Sequence, residues 1–179
     1  MRELLELHFA GYPAQIRVAR LLLEHGLAVR EGQVWCGRIG VTDTALARAA
    51  NVDRRVIGAT IATIERTAAL ARVFSRLRST SLLSDAAPGL GWGVVEIVPQ
   101  DASMPGILAS VASVIAQRGI SIRQAIVEAP ESAEEPRLYI ITETPLPVDL
   151  VPKIQDAPGV KSVVLPHAGD AVRPAAATR

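Results

Sequence analysis

The chain has 179 residues and a formal net charge of +1, and it is 49% hydrophobic but only 3% aromatic, which excludes extensive disorder over the main body. Its single cysteine, Cys36, excludes an internal disulfide, and no Cys or His cluster has metal-ligand spacing. No segment reaches the ~18 apolar residues of a membrane helix and the N-terminus lacks a signal-like apolar core, so we expect a cytoplasmic protein with no membrane partner.

The charge is divided between two halves of opposite sign. Residues 1 to 80 carry 12 Arg and 7 acidic residues, a net charge of +5, whereas residues 81 to 165 carry 5 basic and 10 acidic residues, a net charge of −5. A polyanionic partner is therefore expected for the first half only, although surface solubility explains the same charges equally well. With a Ser-, Gly- and Pro-rich segment between the halves, we predict a domain at 1–78, a linker at 79–91, a domain at 92–166 and a flexible tail at 167–179.

The first domain is predicted to begin with helices and a hairpin. A short amphipathic helix over residues 2 to 9 is broken by Gly11 and Pro13, and a second helix runs from Pro13 to a stop at Gly26. Residues 27 to 39 then predict a hairpin that turns at Glu31 and Gly32. Further along, a helix is predicted to carry Arg66, Arg72, Arg76 and Arg78.

Residues 41 to 64 have the spacing of a helix-turn-helix. Thr42 or Asp43 can cap the first helix, Asn51 and Val52 form the turn, and Asp53 can cap the second helix. The string L-A-x-x-x-x-V-x-R-R-x-[IV], from Leu46 to Ile57, resembles the helix-turn-helix of many prokaryotic transcription regulators. With the upstream helix and hairpin, the domain resembles a winged helix.

This resemblance implies that the second helix is a recognition helix for duplex DNA. Arg54 and Arg55 stand at its amino-terminal end, where side chains meet base edges in the major groove. Thr44, Arg48 and Thr60 are candidates for phosphate contacts. Two alternatives stay open, namely a helical hairpin with solvated arginines and a module for protein docking or dimerisation.

Residues 93 to 127 predict a strand, a helix and a second strand in one run. A strand rich in β-branched residues ends at Pro99 and contains Val94, Val95, Ile97 and Val98. Residues 107 to 115 have helical apolar spacing, and Gly119 precedes a strand over residues 120 to 127. Asp101 and Ser103 can each cap the helix, and Pro105 suits its first turn. Further strands are predicted at residues 138 to 142 and 160 to 165, with a short helix at residues 148 to 156.

The second domain resembles an ACT domain, whose hallmark is D-x-P-G-x-L and then G-x-N-I. The resemblance is carried by Asp101, Pro105, Gly106, Ile107 and Leu108, followed by Arg118, Gly119, Ile120, Ser121 and Ile122. The sequence departs from the hallmark in two places, because three residues separate Asp101 from Pro105 and Ser121 stands where Asn is frequent. The resemblance implies a ferredoxin-like βαββαβ domain, and the fold class we expect for the whole chain is α+β.

A helix-turn-helix followed by an ACT domain resembles prokaryotic regulators of amino-acid metabolism. The resemblance implies a transcriptional regulator in which an amino acid bound by the ACT domain alters DNA binding. It also implies a homodimer with the effector at the subunit interface, bound by Gln100, Asp101, Ser103, Met104, Pro105, Gly106, Ile107, Leu108, Ser121, Ile122 and Arg123. The alternative is a regulatory subunit that does not bind DNA and controls a biosynthetic enzyme through protein contacts.

Gly106 is the sharpest sequence-based probe of that site. A Cβ there is expected to obstruct a ligand packed on the backbone at the start of the helix, where Ala is otherwise tolerated. If Gly106 instead serves a turn with positive φ, Ala lowers the melting temperature.

No set of residues predicts catalysis. His8, His25 and His167 are isolated, Cys36 beside Trp35 is expected to be a packed hydrophobe, and the alternating Gly89, Gly91 and Gly93 precede a strand, unlike a dinucleotide-binding loop. We therefore expect no enzymatic activity, no metal and no cofactor.

Overall fold

The computed structural model describes residues 2–128 and 135–165. The sequence also predicts an acidic, Pro-bearing loop over residues 128 to 136, between the second and third strands of the second domain. Most of this loop and the predicted tail lie outside the described residues. The chain divides into two compact units, residues 1–81 and 82–179, and contains two antiparallel sheets with several helices. The α+β class is confirmed. Within the described residues no helix is both long and apolar enough to cross a membrane.

The first unit surrounds a three-stranded meander with helices. Its helices are α1 (Arg2–His8), α2 (Pro13–Glu24), α3 (Asp43–Ala50), α4 (Arg54–Arg66) and α5 (Ala68–Phe74), and its strands are β1 (Ala28–Arg30), β2 (Gln33–Cys36) and β3 (Ile39–Val41). The predicted hairpin is confirmed: Arg30 pairs with Gln33, and positive φ angles at Glu31 and Gly32 make the two-residue turn. The third strand was not predicted, because three residues after Gly37 are too few to show a periodicity.

The residues predicted to cap helices in this unit do so in the structure. The Thr42 hydroxyl accepts a hydrogen bond from the Ala45 N–H at 3.3 Å, and the Asp53 carboxylate accepts one from the Arg55 N–H at 2.8 Å. Asn51 ends α3 in the left-handed conformation. Between these caps, α3 and α4 pack against α2 over a core in which Phe9, Val18, Leu22, Ile57, Ile64, Leu70 and Phe74 are fully buried.

The helix predicted to carry four arginines is not continuous. Arg66 is the last residue of α4, Arg72 lies in α5, and Arg76 and Arg78 follow the end of α5. The break at Thr67 has an extended backbone, and beyond α5 the chain lies against the end of α2. There the Ser79 hydroxyl donates to the His25 carbonyl at 2.6 Å. The segment after α5 is therefore stabilised by contact with the end of α2 and is not helical.

The second unit has the element order βαββαβ. It contains β4 (Gly93–Pro99), α6 (Ile107–Ala116), β5 (Ile122–Val127), β6 (Leu138–Thr142), α7 (Leu150–Gln155) and β7 (Val160–Val164). The strands lie in the order β5-β6-β4-β7, and every neighbouring pair is antiparallel. One sheet face packs on both helices and buries Val95, Ile97, Val111, Ile115, Ile140 and Ile154 completely.

The other face of this sheet is covered in part by the segment predicted as a linker. Residues 88–90 form a 3-10 turn, and Leu83, Ala87 and Trp92 pack against Val94 and Ile141. The Leu83 N–H also donates to the Gln124 side-chain oxygen at 3.0 Å. From Leu82 onward this segment therefore belongs to the packing of the second unit.

Candidate functional site

The start of α4 presents two adjacent cations. Arg54 and Arg55 follow the capping residue Asp53 directly, and both are exposed. Beyond them, the exposed face of α4 continues with Gly58 and Ala59, which have no polar side-chain atoms. Over the first two turns of α4, hydrogen bonding from exposed side chains to a partner therefore depends on Arg54 and Arg55.

The other predicted DNA-contacting residues divide into exposed and buried ones. Thr44 and Arg48 are exposed on α3, on the surface that leads to the turn. Thr60 is fully buried, and its hydroxyl donates to the Val56 carbonyl at 2.7 Å. The predicted phosphate contact of Thr60 is wrong, because this side chain faces the core and its donor is already used within α4.

Arginines of the two units differ in their ion pairs. Among the described residues, none of the arginines from Arg17 to Arg78 forms an ion pair with a carboxylate. In the second unit Arg118 pairs with Asp149, Arg123 with Glu143, and Arg137 with Glu96 and Glu135. The arginines from Arg17 to Arg78 are therefore not held in ion pairs by the described carboxylates, whereas each arginine described in the second unit is paired.

A cavity of about 200 Å³ lies beyond the end of β4. It is bordered by the turn before α6, the start of α6, the end of β5 and the start of β6. Four of the predicted effector-binding residues contribute to its lining, which consists of Pro99, Ala102, Met104, Gly106, Ile107, Leu108, Val127, Glu128, Arg137 and Leu138. Most of this surface is apolar, and Glu128 and Arg137 supply its charged groups.

Asp101 does not cap α6, contrary to expectation. Its carboxylate oxygen accepts hydrogen bonds from the Ser103 N–H at 2.8 Å and the Ser103 hydroxyl at 2.6 Å, and these bonds lower the pKa of Asp101. The helix begins four residues after Ser103, at Ile107, so both side chains and Pro105 lie in the preceding turn. The predicted cap fails because the Asp101 carboxylate is satisfied locally, in a turn closed two residues later.

Gly106 and Gln100 determine the backbone conformation of this turn, Gly106 by its positive φ and Gln100 by its hydrogen bonds. Gly106 precedes α6 with φ +93°, so the expectation that Ala is tolerated there as a first-turn residue is wrong. An added Cβ at Gly106 has no neighbour within 4 Å, so the strain would come from the backbone alone. Gln100 donates its N–H to the Gly159 carbonyl at 2.9 Å and its side-chain amide to the Val160 carbonyl at 3.2 Å, which ties the turn to β7.

The structure separates Ser121, Ile122 and Arg123 from the other predicted effector-binding residues within one chain. Ile122 pairs with Thr142, and Thr142 pairs with Gly93, so these three residues lie at the end of the sheet where β4 starts. Residues 100 to 108 follow the last residue of β4 and so lie at the opposite end of the sheet. Arg123 lies 4.4 Å from the Trp92 ring centre and 3.8 Å from Glu143. One chain therefore does not bring both sets into one cavity.

Glu128 and Arg137 were missed by the sequence analysis. The Arg137 N–H donates to the Glu128 carboxylate at 3.0 Å, and the Arg137 guanidinium lies 2.7 Å from the Glu96 carboxylate, which raises the pKa of Arg137. The two residues lie 9 positions apart on either side of the acidic loop. Hairpin pairing of β5 with β6 was the available signal, since it places the residues that flank a loop opposite one another.

The chemistry and the comparisons leave the site without an assigned partner. Over residues 2–128 and 135–165 no group of three or more His, Cys, Asp or Glu side chains could hold a metal ion. No protein-family model and no curated protein matches the chain. A solved structure titled "Crystal structure of PH0061" is 17% identical over 90% of this chain and 94% of that chain, with a TM-score of 0.31. This similarity is too low to indicate a shared fold or function.

Proposed function

We propose that the protein is a transcriptional regulator whose binding to duplex DNA responds to a free amino acid. In this proposal α3, its turn and α4 form a helix-turn-helix that binds DNA, and the second unit is an ACT domain of ferredoxin-like topology that binds the effector. The proposed topology is supported by the βαββαβ order and the β5-β6-β4-β7 strand order.

The unpaired arginines of the first unit carry the proposal of DNA binding. A guanidinium that already pairs with a carboxylate must exchange that partner before it can neutralise a phosphate, whereas an unpaired one displaces only counterions from DNA. Arg54 and Arg55 are unpaired among the described residues and lie at the start of α4, where a recognition helix contacts base edges. Since Gly58 and Ala59 have no hydrogen-bonding side chains, base recognition by α4 is assigned to these two arginines.

The cavity beside α6 is the proposed effector site. Its lining of Pro99, Met104, Ile107, Leu108 and Leu138 suits an apolar side chain, and Glu128 is a carboxylate at its border that suits an ammonium group. The Arg137 guanidinium, which also lines the cavity, already pairs with Glu96, so it would have to exchange that partner to bind an amino acid's carboxylate. The volume of about 200 Å³ fits a single small molecule.

Binding to a duplex selected from a random-sequence pool tests the DNA contact. Replacing both Arg54 and Arg55 by Ala should weaken binding to the selected duplex about 30- to 20,000-fold, since each bidentate guanine contact contributes about 1 to 3 kcal/mol. Arg20→Ala with Arg38→Ala, which removes the same charge from α2 and the β2–β3 turn, is the matched control and should change affinity little. Equal affinity of the double variant and the wild type would remove α4 as the recognition helix.

Regulation requires that effector and DNA influence each other. DNA affinity should change roughly 5- to 150-fold when the best-binding amino acid saturates the protein, which corresponds to a coupling of about 1 to 3 kcal/mol. An unchanged DNA affinity at saturation would leave two binding activities and no regulator.

A second candidate function is that of a regulatory subunit that docks on a protein through α4. It is favoured by an apolar depression of about 370 Å³ between α4 and the start of α2, bordered by Val56, Ala59 and Tyr12. Tyr12 is 60% exposed there, a large aromatic side chain of the kind enriched in protein interfaces. Tyr12→Ser should abolish such docking, whereas it should leave the salt-dependent DNA affinity nearly unchanged.

A further inference from the structure

A second group of arginines surrounds a groove on the first unit, away from the start of α4. The groove has a volume of about 470 Å³ and is formed by β1, the C-terminal end of α4, and α5 with the residues that follow it. Arg30, Arg72 and Arg76 line it, and all three side chains are exposed. Three exposed arginines from two parts of the chain therefore border one open depression.

The Glu65 carboxylate in this groove forms no ion pair with these arginines. Glu65 also lines the groove, but its carboxylate accepts a hydrogen bond at 2.7 Å from the Gly32 N–H in the β1–β2 turn. Among the described residues, Arg30, Arg72 and Arg76 form no ion pair. The single charge of Glu65 offsets only part of the repulsion among three guanidinium groups, and an anionic partner in the groove would relieve the rest.

The position of the groove relative to α4 suggests which polyanion it meets. Arg54 and Glu65 are eleven residues apart on one side of α4, about 16 Å along the helix axis. The major groove of B-DNA is about 12 Å wide, so a helix whose first residues reach base edges extends past the groove at its other end. The arginines around Glu65 would then lie over a flanking phosphodiester backbone.

We propose that the groove lined by Arg30, Arg72 and Arg76 binds the phosphate backbone of duplex DNA, as a contact surface separate from the start of α4. This inference rests on the proposed DNA binding and extends it to a flanking strand. Phosphate contacts fix the register of a protein on DNA without reading sequence. The groove should therefore contribute equally on every duplex, whereas Arg54 and Arg55 should contribute most on a selected sequence.

Salt dependence on a mixed-sequence 30-base-pair duplex tests the groove directly. Each lost phosphate contact should lower the slope of log affinity against log salt by about one. We expect Arg72→Gln with Arg76→Gln to reduce the slope by about two relative to the wild type. Arg20→Gln with Arg38→Gln removes the same charge from α2 and the β2–β3 turn and should leave the slope nearly unchanged.

Two further measurements keep the outcomes separate. Arg72→Lys with Arg76→Lys keeps the charges and should restore most of the slope, which excludes a folding defect as the cause. Hydroxyl-radical footprinting on a selected duplex should show that the Gln variant loses protection of a flanking strand and keeps protection at the central bases.

A slope equal to that of the wild type in the Gln variant would overturn the proposal and assign the groove to another partner, such as an acidic protein. If the wild type itself shows no salt-dependent DNA binding, the proposed function fails, and the groove proposal fails with it. If Arg54→Ala with Arg55→Ala removes sequence preference but keeps the slope contributed by the groove, both proposals stand.

Discussion

A Cβ added to Gly159 would lie 2.7 Å from Ile107 Cγ1, so the turn into β7 touches the first residue of α6. Gly159 has φ +86°, and Ile107 is buried at the wall of the candidate cavity. This contact joins the two halves of the βαββαβ unit at the place where the effector is proposed to bind.

Gly159→Ala should destabilise the protein more than Gly106→Ala. Both positions have positive φ, but the Cβ at Gly106 meets open space, whereas at Gly159 it also meets Met104 at 3.1 Å. Backbone strain should cost about 1 to 2 kcal/mol at each position, and overpacking should add about 1 to 3 kcal/mol at Gly159. Urea unfolding of the two variants measures the difference, and equal losses would mean that Ile107 and Met104 move aside at no cost.

Arg137→Gln should destabilise the protein more than Arg123→Gln. The Arg137–Glu96 ion pair is 2.7 Å long and its Glu96 side chain is 16% exposed, so Glu96 would be left without its charged partner. This loss should cost about 1.5 to 3 kcal/mol, whereas the exposed Arg123–Glu143 pair at 3.8 Å should contribute at most about 1 kcal/mol, together with the stacking of Arg123 on Trp92. A double-mutant cycle of Arg137→Gln with Glu96→Gln isolates the pair, and a coupling energy near zero would contradict its assigned role.

Apolar amino acids should stabilise the wild type, and Leu108→Glu should remove this effect. A ligand present at a hundred times its Kd adds about 2.7 kcal/mol to the free energy of unfolding, which thermal shift with each of the twenty amino acids can detect. Leu108 lines the cavity and is 38% exposed, so a charge there should exclude the ligand with little loss of folding. Ala109→Glu, at the next exposed position on α6, is the control and should keep the response. If Leu108→Glu responds as strongly as the wild type, the effector binds elsewhere.

We expect a homodimer formed through the edge strand β5. β5 and β7 are the two edges of the sheet, and joining two sheets side by side removes one exposed edge from each subunit. Ala125→Glu on β5 should therefore lower the dimer fraction measured by light scattering, while Val164→Glu on β7 should not. A monomer mass for the wild type at micromolar concentration, with and without amino acid, would contradict the expectation.

A dimer joined along β5 would also bring the two separated sets of predicted effector-binding residues closer together. Ile122 and Arg123 begin β5 and Ser121 directly precedes them, at the opposite end of the strand from the cavity of their own chain. A second subunit joined along β5 in the antiparallel direction would bring its own residues 121 to 123 toward that cavity. Arg123→Ala should then weaken amino-acid binding although Arg123 is remote within the chain, and an unchanged response would confine the site to one subunit.

Local features of the fold could be predicted wherever a short stretch of sequence determines its own backbone. Asp53 and Thr42 cap helices in the structure, the Glu31–Gly32 turn closes a hairpin, and the strand Leu138–Thr142 has the predicted bounds. Each of these depends on side-chain oxygens, positive φ angles or a β-branched run within a few residues.

The candidate sites were predicted only in part, because exposure and pairing depend on distant residues. The Thr60 hydroxyl is a group that can bind phosphate, but the side chain is buried in the core. The Asp101 carboxylate accepts a hydrogen bond from Ser103 and does not cap α6. The groove arginines come from β1, α5 and the segment after α5, and no sequence spacing relates Arg30 to Arg72.

Apart from β3 and the break between α4 and α5, the sequence by itself therefore determined the order of helices and strands. It also determined the division of charge between the halves and the position of Arg54 and Arg55 at the start of a helix. Only the tertiary structure decided that Glu128 and Arg137 border the cavity with Met104 and Leu108, and that residues 121 to 123 lie at the far end of the sheet. The physical reason is that local backbone preferences extend over a few residues, whereas strand pairing and core packing join residues that are far apart in the chain.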